Sequence, residues 1–388
     1  MTRSIANWLK FSHVSAGFIA VLVGYSASAA IVFQAAHAAG ASTAEIASWL
    51  WALGIGMAAS CIGLSLWFRA PILTAWSTPG AALLATSLVG VSMADAMGAF
   101  IFASALIAIV GLSGWFDHLM RHVPKSLAGA MLGGILLHFG IDLFVQLPRQ
   151  PALLGPMLVI FLIARRLQPR YAVAITFIAG MVLAFAQGAV HTEVLALRLT
   201  RPIFTMPHFS LPVLIGVGLP LFIVTMASQN VPGMAVLRVN GYTTPARPLI
   251  AGTGLLGVVL APFGGYQFNL AAITAAICMT KDADPDPAQR YRAAVWAGIF
   301  YLVTGLLGSF VASLFTAIPH AVVMAVAGMA LLATIGNSLT VAVQDEQERD
   351  AALTTFLVTA SGMALWNIGS AFWGLVFGLI VAWIGRRR

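Results

Sequence analysis

Charge is what this chain has least of. Only 8% of its 388 residues are Asp, Glu, Lys or Arg, against roughly 25% in a soluble domain, and a water-facing surface cannot be built from so few. Long polar stretches are also missing. The largest non-apolar piece runs from about Ala189 to Ser210, too short for a soluble catalytic or nucleic-acid-binding domain. Cysteine is scarce: Cys61 and Cys278 both fall inside apolar runs, where they read as small buried hydrophobes rather than a disulfide or metal ligands. No His/Asp/Glu cluster with metal-ligand spacing is visible, so neither a membrane-embedded enzyme nor a cofactor is expected.

What is there is hydrophobic: 60% of the residues, with a mean hydropathy of +0.94. The apolar runs repeat in blocks near 20 residues, the length a helix needs to cross about 30 Å of hydrocarbon. They lie near 13–34, 46–67, 70–89, 95–114, 126–146, 151–164 and 171–189, and again near 211–236, 246–261, 263–280, 292–317, 320–343, 351–366 and 370–385. The apolar run after Ser12 continues to Ala36 without a small-residue cleavage site, so it reads as a retained first span.

The basic residues test this count, because a missed span would scramble their sidedness from that point on. With the N-terminus cytoplasmic, 17 of the 20 Lys and Arg fall in inside loops, leaving Arg149, Arg198 and Arg201 outside. Both termini are then cytoplasmic, and the net charge of +8 reflects topology rather than an affinity for nucleic acid.

Seven is odd, so the second group of spans enters from the opposite side and the halves, 12–189 and 211–385, form an inverted repeat. The third segment of each half, the third and tenth in chain order, is interrupted and reads as a short extended stretch plus a half-helix. In the first, Ser77-Thr78-Pro79-Gly80 places an N-cap and a first-turn proline near the middle of the span. In the second, Gly264-Gly265 break the chain and Asn269 is the candidate N-cap of a half-helix over about Leu270 to Thr280. Two half-helix N-termini converging near the midplane favour an anionic group, and irregular backbone at that depth must line a protein-enclosed cavity. Since no Lys or Arg lies inside a span, dipoles and neutral donors would hold that anion, which suits a carboxylate. The eighth span adds Ser228, Gln229 and Asn230, and the first adds Tyr25 and Ser26, polar groups that are costly to leave facing lipid.

At these residues the chain resembles the benzoate/proton symporter family, which is related to the uracil and xanthine permeases and more distantly to sulfate and bicarbonate transporters. The likeness rests on Ala75-Trp-Ser-Thr-Pro-Gly-Ala-Ala-Leu-Leu84, Thr225-Met-Ala-Ser-Gln-Asn-Val-Pro-Gly-Met-Ala235 and Pro262-Phe-Gly-Gly-Tyr-Gln-Phe-Asn-Leu270, and extends over nearly the whole chain. The resemblance implies an all-α bacterial inner-membrane protein of fourteen transmembrane segments. Residues 12–114 plus 211–317 would form a core and 124–189 plus 320–385 a gate, with a homodimer expected by analogy. It also implies uptake of benzoate or a similar aromatic carboxylate with a proton, by alternating access. The substrate residues are then Tyr25, Ser77, Thr78, Gly80, Ser228, Gln229, Asn230, Gln267, Phe268, Asn269 and Leu270, with the aromatic rings of Trp76, Tyr266 and Phe268 beside them.

One departure bears on mechanism. Where the related nucleobase permeases carry glutamates, this chain has Ser228 or Gln229 and Phe268, which removes a repulsive charge from an anion site but also the usual proton carrier. The best intramembrane candidates for that role are His138 and Asp142, four apart on one face of the fifth span. An anion exchanger or a nucleobase permease of the same fold, and a passive anion channel, are the alternatives.

Overall fold

The computed structural model describes residues 8–116, 118, 124–195, 197–366 and 368–385. Within them a mostly helical chain forms α1 (Phe11–Ala38), α2 (Thr43–Phe68), β1 (Thr74–Trp76), α3 (Thr78–Ser87), α4 (Met93–Ser113), α5 (Lys125–Gln146), α6 (Pro151–Leu167) and α7 (Ala172–Ala186). After the connector come α8 (Leu211–Val239), α9 (Ala246–Leu260), β2 (Phe268–Leu270), α10 (Ile273–Cys278), α11 (Tyr291–Leu306), α12 (Gly308–Ala317), α13 (His320–Val343), α14 (Arg349–Ala360) and α15 (Ser370–Gly385).

Among the described residues, seven helices are long and apolar enough to cross a bilayer, and up to nine if two bent pairs each make one span. The expected fourteen are not reached by helix length alone, because several segments are short: α3 has 10 residues, α10 has 6 and α14 has 12. α14 stops at Ala360, short of the expected 366, where Gly362 turns with φ of +66°.

The two interrupted segments meet. β1 and β2 pair antiparallel, with Ala75 opposite Asn269 and Trp76 opposite Phe268, so each satisfies main-chain groups that hydrocarbon would leave bare. Side chains of α2 complete the task on the near side. Ser65 Oγ donates to Ile72 O and accepts from Ile72 N–H, while Cys61 Sγ accepts from Thr74 N–H at 3.2 Å. Cys61 is therefore a main-chain acceptor and not the plain hydrophobe its surroundings suggested.

Close packing seats this sheet. A Cβ on Gly56 would lie 2.2 Å from the Phe268 ring, and one on Gly233 would lie 2.6 Å from Leu270 Cβ. Gly264, with φ of +96°, lets Trp49 press onto its backbone. α2 packs along α11, α4 along α9, and α5 along α13 and α14.

Candidate substrate site

α3 begins where the sequence places it, half-way along its segment, and for a legible reason. Ser77 is the N-cap: its Oγ accepts from Gly80 N–H at 3.1 Å, and Pro79 occupies the first turn, where no N–H is needed. Two residues from the second half hold this cap. Thr225 of α8 donates to Ser77 Oγ at 2.9 Å, and Tyr266 OH donates to Ser77 O at 3.1 Å. Of the first-turn residues, Thr78 and Pro79 line a cavity.

α8 widens twice into π-turns, at Leu214–Gly218 and at Met226–Asn230, just before Pro220 and Pro232. A proline takes a donor out of the helical ladder and crowds the carbonyl four residues back, and a wider turn relieves both. The second π-turn carries Ser228 and Gln229 into the same cavity, while Asn230 turns inward and accepts Leu270 N–H on Oδ1 at 3.0 Å.

The cavity is about 690 Å³, inside the range of small-molecule sites. Its inner end is aromatic: Tyr25 and Trp76 lie with ring centroids 4.9 Å apart, and Trp76 Nε1 donates to Ser28 Oγ at 2.7 Å. The Tyr25 hydroxyl is buried without a protein partner. Opposite, α13 presents Thr334, Asn337 and Ser338, and Lys125 at the start of α5 is the charged residue in the lining. Lys125 and Val341 line the same cavity as the aromatic pair. At the other end of α1, Phe33 stacks on Phe315, which stacks on Phe177. An apolar pocket with a few neutral donors and one cation at its rim can hold a ring-bearing monoanion, and nothing in it favours a cation.

The eleven expected contacts divide. Tyr25, Thr78, Ser228 and Gln229 line the cavity. Ser77, Gly80, Asn230, Gln267, Phe268, Asn269 and Leu270 are buried behind it as its frame. Asn269 is not an N-cap: it sits within β2, its Nδ2 donating to Leu270 O, and α10 starts at Ile273 with no side-chain cap. The facing pair of half-helix N-termini is thus reduced to α3, since a six-residue helix sums few peptide dipoles. Ser28, Tyr301 and the Thr334/Asn337/Ser338 stripe escaped the sequence reading. The stripe was visible, as polar residues at i, i+3 and i+4 in an otherwise apolar span. His138 and Asp142 lie away from this cavity, in a second one with His37 and His320.

A substrate-sized cavity where two broken segments pair, walled by helices of both halves, is the arrangement a membrane transport protein needs. The fold agrees with solved transporters. It is similar to the transmembrane domain of the cyanobacterium bicarbonate transporter BicA (TM-score 0.56, 14% identity, 97% of each chain). It is also similar to murine Solute Carrier 26 family member A9, an anion transporter solved in the inward-facing state (TM-score 0.59, 12% identity, 96% of this chain and 68% of that one). In sequence, the chain is 52% identical over 363 residues to the inner membrane protein YdcO of Escherichia coli, covering 94% of this chain and 93% of the relative. It is 41% identical over 378 residues to the benzoate membrane transport protein of Acinetobacter baylyi, covering 97% and 96%. The family model for benzoate membrane transport proteins matches residues 7–384, and the chain belongs to that family.

Proposed function

We propose that this protein is a secondary active transporter that imports benzoate or a similar aromatic carboxylate together with a proton. The observation that carries the reading is the cavity itself, which sets the Tyr25–Trp76 aromatic pair beside neutral donors from Thr78, Ser228 and Gln229. The name of the 41% identical relative supports benzoate as the substrate. The ring would lie against Tyr25 and Trp76, and the carboxylate would accept from the Tyr25 hydroxyl, which has no protein partner, and from the α8 donors.

A cavity lined by two groups of helices supports a mechanism of alternating access. Helices α1–α4 with α8–α12 form the core and α5–α7 with α13–α15 the gate, and the cavity lies on the seam between them. The chain crosses the membrane fourteen times as a 7+7 inverted repeat, with both termini cytoplasmic on the distribution of Lys and Arg. Of the residues in that tally, Arg3, Arg121, Arg386, Arg387 and Arg388 lie outside the described residues. On this orientation Lys125 lies toward the cytoplasm and the phenylalanine stack toward the outside. The protein works as a bacterial inner-membrane homodimer, and His138 and Asp142 belong to the proton path.

Ligand-dependent stabilisation tests the substrate class. Benzoate should raise the unfolding temperature of the purified protein saturably. Cyclohexanecarboxylate, which lacks the aromatic ring, and benzyl alcohol, which lacks the carboxylate, should each do so more weakly. Equal shifts from all three would reject an aromatic carboxylate site.

A further inference from the structure

A second cavity, of about 280 Å³, sits beyond the phenylalanine stack at the far end of α1. Its lining includes Gln34 and His37 from α1, His138 and Asp142 from α5, and His320 from α13. Gln34 is only 9% exposed, and its Nε2 donor has no partner, an arrangement that costs free energy unless an acceptor arrives. His37 and His320 bring their rings to 6.4 Å across the seam between α1 and α13. His138 Nε2 lies 2.9 Å from Ala360 O. A carbonyl only accepts, so that nitrogen carries the proton and Nδ1 is the basic one.

Three imidazoles, an unsatisfied amide donor and one carboxylate make a site whose charge depends on protonation. We propose that this cavity is an outer docking site for a small monocarboxylate, and that binding the anion there loads a proton onto the His37/His320 pair. Asp142 lines the same space, so an anion gains there only when an imidazolium offsets that carboxylate. The arrival of the carboxylate and of the proton are thus linked, each raising the affinity for the other. Of the other ionisable groups near these ends, Glu45 closes a capping box with Ser42, His191 pairs with Glu193 at 3.2 Å, and Arg149 is exposed just past the end of α5. Helices α3, α7 and α12, which also pack on α1, carry none, and α10 carries only the Cys278 thiol. Arg292 of α11, and Arg349 and Asp350 of α14, lie at the opposite ends of α1 and α13. The inference rests on the carboxylate reading above, and supplies the pairing of anion with proton that the central cavity, without a carboxylate or imidazole in its lining, does not.

Equilibrium binding of labelled benzoate to the purified full-length protein tests it, at about pH 5.5 and about pH 7.5 on either side of the usual imidazole titration. The wild type should bind a second benzoate at the acidic pH. Its affinity should weaken toward a limit of about tenfold per pH unit as the linked proton is lost. The double variant His37→Gln/His320→Gln, and separately Gln34→Leu, should remove that second site and leave the pH-independent one. A single site in the wild type, or a second site that both variants retain with its pH dependence, would overturn the proposal while leaving the central site standing. No binding at either pH would overturn the carboxylate reading and this inference together.

Discussion

Asn230 Oδ1 accepts the main-chain N–H of Leu270 at 3.0 Å, tying the π-turn of α8 to the end of β2. Both residues are fully buried, so the amide satisfies a strand-edge donor that has no water to turn to. Asn230→Ala should lower stability by about 1 to 3 kcal/mol, the cost of a buried donor without its partner. Thermal unfolding in detergent checks this, and a loss of benzoate affinity at unchanged stability would return Asn230 to the list of ligand contacts.

Packing against β2 gives a prediction with its own control on the same helix. Gly56→Ala would drive a methyl into the Phe268 ring, whereas a Cβ at Gly63 meets nothing within 4 Å. Overfilling a packed interior costs about 1 to 3 kcal/mol. Gly56→Ala should therefore unfold at a clearly lower temperature than wild type, and Gly63→Ala at the same temperature or slightly higher.

Gln229 and Asn269 should separate binding from stability. Gln229 lines the cavity and Asn269 is enclosed in the strand pair. Gln229→Ala should weaken benzoate binding by about 1 to 3 kcal/mol, as for a lost hydrogen bond to a charged group, with little change in unfolding temperature. Asn269→Ala should do the reverse, and titration calorimetry beside thermal unfolding reads both.

Asp284, in the loop after α10, anchors the start of α1. Its Oδ2 lies 2.7 Å from His13 Nε2 and 3.2 Å from Lys10 Nζ. Burial alone would push its carboxyl up, but the Asp286 N–H and the His13 and Lys10 hydrogen bonds outweigh that and hold it below the usual carboxylate range. A depressed carboxyl stabilises the fold above its unfolded-state value, about 3.9, and that contribution fades as pH drops through the lower folded value. Wild type should therefore lose stability below about pH 4, and Asp284→Asn should be less stable at neutral pH with a flatter acid limb. Parallel curves for the two proteins would exclude this anchor.

Much of this was legible in the sequence because the membrane enforces it. Apolar run length and the Ser77/Thr78/Pro79/Gly80 cap placed α3 from its first residue, and span boundaries elsewhere follow the charged loops. The site was only partly legible. The motif containing Gln267, Phe268 and Asn269 marks the right place, but its residues hold the sheet together and do not face the cavity. An extended stretch in each interrupted segment was legible, but strand pairing between segments almost 200 positions apart is a long-range choice with no local periodicity, so the register of β1 against β2 had no sequence signal. The π-turns did have one, in Pro220 and Pro232. His37 and His320 could not be joined by inspection, because only the seam between α1 and α13 brings them together.

Uptake of labelled benzoate into liposomes holding the purified protein, with and without an inward proton gradient, tests the central claim most directly. Saturable uptake that the gradient drives above equilibrium, and that collapses with a protonophore, is the predicted result. Uptake that only equilibrates and ignores the gradient would mean a passive pore, and no uptake of benzoate under either condition would contradict the assignment of its substrate.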